Sequence, residues 1–89
     1  MTKKQHIAAL RLSPLGEEGV SQIRKIVEER KYRKVNEVMV DVFTASAFIA
    51  VYDAVNDANK EKLRGKAVFE ACDIALRVIN KANAEGRAK

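Results

Sequence analysis

Between Gly16 and Arg30 the apolar residues Val20, Ile23, Ile26 and Val27 recur three or four positions apart, the spacing of a helix with one buried face. Ser13 and Pro14 stand just ahead of them. Ser is a good N-cap and Pro fits the first helical position, where its missing N–H costs nothing, so a helix is expected to begin here or within a turn and to end near Arg30. Glu17 and Glu18 then lie at the positive end of the helix dipole, with Arg24, Lys25 and Arg30 toward the negative end.

The period changes after Arg30. Val38, Val40 and Val42 alternate with Met39 and Asp41, the two-residue repeat of extended chain. A strand needs a partner, and the candidate is His6 to Leu12, which reads equally well as a helical turn with Ile7 and Leu10 on one side. Residues 35–40 are therefore expected to be an ordered extended connection, with a small two-stranded ribbon as the alternative.

Asp41 or Thr44 is placed to cap a second long helix, because either side chain can accept from the free N–H groups of a first turn. From Val42 to Val55 only Thr44, Ser46 and Asp53 are polar, so this helix is apolar on nearly every side and has to be covered on most of them. Ser46, Ala50, Ala54 and Ala58 form a ladder of small residues at successive four-residue steps, with Phe48, Val51, Tyr52 and Val55 as the bulky side. Such a ladder lets another backbone approach closely, either a partner helix inside the bundle or a second copy of the chain. Asn56 to Asn59 reads as a turn or cap cluster, Lys60 to Arg64 as a short helical segment stopped by Gly65, and Lys66 to Asn83 as the last helix. Val68, Ala71, Cys72, Ala75, Ile79 and Ala82 share its inner face, and the tail from Ala84 is expected to fray.

The expected fold class is thus all-α: a small compact bundle of three main helices plus short helical segments, with the ribbon as a minor addition. At 89 residues, 47% hydrophobic and 33% charged, the chain has globular composition and reads as one helical domain with frayed termini. A single cysteine excludes an internal disulfide and favours a reducing cytoplasm. The N-terminal apolar run is broken by Arg11 and does not read as a signal peptide, and Val42 to Val55 would rise only about 21 Å as a helix, too little to cross a membrane.

Catalytic signatures are lacking. No phosphate-binding glycine loop is present, and one His with one Cys cannot make a zinc site by the usual ligand sets, so no metal or cofactor is expected. Cys72 with His6 would be the only nucleophile and base pair, and Cys72 falls on an apolar helix face, where a packed thiol is the simpler reading. Asp53 and Asp57 could act as paired carboxylates only if one helix ran through Asn56.

Seventeen bases against twelve acids leave a net charge of +5. The bases cluster: Arg24, Lys25, Arg30, Lys31, Arg33 and Lys34 in one run, Lys60, Lys62, Arg64 and Lys66 in another, with four acids and no base at 35–59 between them. If the runs converge, they make a surface able to neutralise phosphates; if not, they are solubilising charge. Tyr32 is the only aromatic inside a basic run, which leaves no base-stacking platform.

The stretch VDVFTASAFIAVYDAVN at Val40–Asn56, followed by DANKEKL at Asp57–Leu63, resembles a segment of small bacteriophage-encoded proteins of unknown function, over residues 35–64. The resemblance implies a phage or prophage origin and a bacterial cytoplasm, and it transfers no functional residue. The expected function is that of a non-catalytic accessory protein that binds another protein of host or phage; the small-residue ladder is read first as an internal helix-packing seam, with a homodimer seam as its alternative. A small basic nucleic-acid-binding regulator is the alternative.

Overall fold

The computed structural model describes residues 3–87, with five helices among them: α1 (Lys3–Leu12), α2 (Gly16–Glu29), α3 (Val42–Ala54), α4 (Asp57–Arg64) and α5 (Val68–Arg87). An antiparallel ribbon of β1 (Arg33–Val35) and β2 (Val38–Val40) lies between α2 and α3, so the fold is mostly helical without being purely all-α. Its strands pair with each other rather than with residues 6–12, which belong to α1. Asn36 and Glu37 take positive φ (49° and 63°), the two left-handed residues of a type I′ turn. Glu at the second of these positions is what hides the hairpin from a sequence reading, since Asn-Gly is the usual signal.

α3 is the centre of the fold, packed between α2 and α5. Asp41 caps it by accepting from the Thr44 N–H at 2.6 Å, which holds the Asp41 carboxyl below its ordinary pKa. Asn56 caps α4 in the same way through Asn59 N–H at 2.9 Å, and α2 ends on Arg30 in the left-handed conformation, its N–H on the Ile26 carbonyl. One hydrophobic cluster joins Ile23 and Ile26 of α2, Val35 and Val40 of the ribbon, Ala45, Phe48, Val51 and Tyr52 of α3, Leu63 of α4, and Val68, Ala71, Cys72 and Ala75 of α5.

Two capping expectations fail. Ser13 does not cap α2: its hydroxyl donates to the Ala9 carbonyl at 2.9 Å, closing the end of α1, and α2 starts at Gly16 after a Leu15 that makes no side-chain cap. Pro14 forms a short bridge to Ala67 instead, where Leu15 N–H donates to the Lys66 carbonyl at 2.8 Å. The last helix also extends beyond Asn83 to Arg87, so the tail from Ala84 is helical as far as the described residues go.

Two further hydrogen bonds tie the ribbon turn to the α1–α2 junction: Arg11 Nε donates to the Glu37 carbonyl at 3.2 Å, and Asn36 Nδ2 donates to the Pro14 carbonyl at 3.4 Å. Three connections therefore meet at one place: the α1–α2 junction, the ribbon turn and the α4–α5 junction.

Candidate interaction groove

A groove of about 530 Å³ opens where these connections meet, lined by the apolar Leu12, Val38, Met39, Ala67 and Phe69 and by the charged Arg11, Glu37 and Glu70. A second hollow of about 230 Å³ shares Val38, Met39 and Phe69 with it and runs on past Val40, Cys72 and Asp73 to Leu76. Together they form a furrow with β2 as one wall and the first turns of α5 as the other. Three of its large apolar residues remain open to water: Leu12 is 78% exposed, Phe69 72% and Met39 54%. Each has a local cause. Leu12 is the last residue of α1, Phe69 sits on the outer side of α5 next to buried Val68, and Met39 points away from the buried Val35 and Val40 by the alternation of a strand.

Cys72 lies in the wall of this furrow and is almost fully buried. Burial, and secondarily the nearby Asp41 charge, push its thiol up to about 11. Since only the thiolate reacts, the folded protein is expected to be alkylated by iodoacetamide at pH 8 roughly a hundredfold more slowly than the urea-unfolded chain. Equal rates in the two states would show that the thiol is open to solvent. The His6 side chain, its only candidate base, lies outside the described residues. Among the described residues no three His, Cys, Asp or Glu side chains come together as a metal site, and no helix is long and apolar enough to cross a membrane.

The paired-carboxylate arrangement does not form. α3 ends at Ala54, the chain turns through Val55 and Asn56, and Asp53 accepts from both terminal guanidinium nitrogens, Nη1 and Nη2, of Arg24 on α2. That hydrogen bonding holds the Asp53 carboxyl below its ordinary value and raises the Arg24 pKa.

The small-residue ladder is not an internal seam. Ser46, Ala50, Ala54 and Ala58 are all exposed, and Phe43 beside them is 75% exposed. The alanines with no exposed surface are instead Ala45 on α3 and Ala71 and Ala75 on α5.

The basic residues are spread and partly neutralised. Arg24 pairs with Asp53, Arg33 with Glu29 at 3.2 Å and Lys34 with Glu37 at 3.9 Å. Arg64 donates to the hydroxyl of buried Tyr52 at 2.6 Å, and Lys60 lies 5.8 Å from that ring's centroid. Lys66 sits beside Leu15 at the start of α2, whereas Arg30 and Lys31 lie past its other end, about 20 Å away by the rise of a 14-residue helix. Lys25 and Lys62 are exposed on α2 and α4.

Sequence reasoning does not find the groove, because Leu12, Met39 and Phe69 belong to three separate elements and none stands out in its own segment. The faint signal is Met39, the apolar residue that breaks into the valine alternation of β2. No family model, no curated protein and no solved structure matches this chain.

Proposed function

We propose that the protein is a non-catalytic accessory protein of bacteriophage type, working in the bacterial cytoplasm by binding another protein through the groove beside β2. The observation that carries this reading is the convergence of Leu12, Met39 and Phe69, three large exposed apolar side chains from three elements, on one furrow. Single exposed apolar residues are ordinary on a folded protein, but a cluster of them on one concave surface together with charged residues is the usual anatomy of an interaction site.

The test compares two immobilised proteins, wild type and a Leu12→Ser/Phe69→Ser variant. Both side chains are mostly exposed, so stability should change by less than about 0.5 kcal/mol per site. A host or phage protein retained by wild type and lost from the variant is the expected result. Identical retained proteins on both would remove the groove from the function.

A further inference from the structure

We infer that the groove receives an extended peptide segment of the partner, which adds to β2 as a third strand and carries basic residues on either side of an apolar one. The inference rests on the protein-binding reading above and specifies what kind of segment is bound.

The first observation is the open edge. In a two-residue type I′ hairpin the pair flanking the turn, Val35 and Val38, exchanges the ladder hydrogen bonds, so by alternation Lys34 and Met39 are the non-bonded pair. The N–H and C=O of Met39 therefore point away from β1, toward the side where the ribbon has no further strand. That is the side on which Val38, Met39 and Val40 wall the furrow, to which no β1 residue contributes. An added strand would satisfy both groups and lay its side chains between Met39 and Phe69, the geometry of strand addition.

The second observation is charge. The chain as a whole is +5, yet the residues lining the furrow are net acidic, Glu37, Glu70 and Asp73 against Arg11; Glu37 and Asp73 carry exposed ion pairs to Lys34 and Arg77 at 3.9 and 2.9 Å, which leaves Glu70 as the lining carboxylate without an ion pair among the described residues. Asp41 adds another carboxylate at the far end of β2, so Glu37 and Asp41 bracket the open edge in the pattern acid, apolar, acid. A partner strand with basic, apolar and basic residues at alternate positions complements it. A second copy does not. Antiparallel self-pairing centred on Met39 would set Glu37 opposite the Asp41 of the other copy twice over, and like charges directly opposed destabilise a sheet. Glu37 also holds a left-handed turn position that Gly would fill with less strain, so the turn retains a carboxylate where its backbone favours another residue.

The test uses the full chain and three capped synthetic peptides, each flanked by Gly-Ser: Arg-Val-Leu-Val-Arg, its charge-reversed form Glu-Val-Leu-Val-Glu, and the basic form with an N-methyl group on the central leucine. The basic peptide should give saturable backbone amide shifts at 37–41 and 68–73. The acidic peptide and the N-methyl peptide should each bind at least about tenfold more weakly, the first by charge repulsion and the second by loss of the strand hydrogen bond. Glu37→Lys/Glu70→Lys should reverse the preference between the two charged peptides. Equal affinity for all three peptides, shifts located elsewhere, or no binding would overturn the inference, as would shifts at the same amides that grow with protein concentration alone, which would assign the edge to a second copy. If the peptides fail while the Leu12→Ser/Phe69→Ser comparison still shows a groove-dependent partner, only the strand inference falls; if that comparison also shows none, the underlying reading falls with it.

Discussion

Replacing Phe48 with Ala should lower the stability of the fold by about 3–5 kcal/mol, the usual loss when a fully buried aromatic is cut back to a methyl group. Phe48 has no exposed surface, lies on the helix that both α2 and α5 cover, and stacks on Tyr52 with the ring centroids 5.7 Å apart. Its removal takes away both the transferred apolar area and the packing of the residues around it, and rigid helices on two sides leave little scope for collapse into the void. Since a domain of this size has roughly 5–15 kcal/mol in total, the variant should sit close to its unfolding threshold. Urea titration followed by circular dichroism measures this as a large fall in midpoint with the slope unchanged. Phe43→Ala, five positions earlier on the same helix, should change stability by less than about 0.5 kcal/mol because its side chain is already largely in water. Similar losses for the two variants would mean that α3 presents a different face to the core.

The second large effect separates two alanines. Ala75→Leu should cost about 1–3 kcal/mol, because Ala75 is a core residue of α5, the helix that packs on α3, and has no exposed surface left to absorb extra methylenes. Ala50→Leu, the same chemical change on the exposed side of α3, should be neutral to within about 0.5 kcal/mol. The comparison checks which small residues are the close-packed ones. Light scattering on the Ala50→Leu protein then reads the remaining use of the Ser46, Ala50, Ala54 and Ala58 ladder: a fall in mass relative to wild type places a second copy there, and an unchanged mass leaves the ladder to solvent.

The ion pair between Arg24 and Asp53 carries less weight. Both side chains are more than 40% exposed, and exposed pairs typically contribute about 0–1 kcal/mol. It fixes the orientation of α2 against the end of α3 more than it adds to stability.

What the amino-acid order determined by itself are the local features, because these depend on residues a few positions apart. The helical period from Val20 to Val27, the Asp41 cap, the stop at Gly65 and the inner face of α5 at Val68, Ala71, Cys72 and Ala75 all stand in the structure. Where two local solutions compete, the order of residues does not decide between them. Ser13 can cap a helix or close the one before it, and the bridge between Pro14 and Ala67, 53 positions away, settles the matter. A hairpin with Glu at its second turn residue is improbable from propensity alone, yet the burial of Val35 and Val40 in the core, with β1 packed on α2, outweighs the strain. The orientation of α3 is another such case. A helix apolar on every side carries no stripe to say which face turns inward, so only the arrival of α2 and α5 made Ala45 and Phe48 core and left Ser46 and Ala50 outside. The groove belongs wholly to the tertiary level, because Leu12, Met39 and Phe69 stand 27 and 30 positions apart and become one surface only when the three connections around it meet.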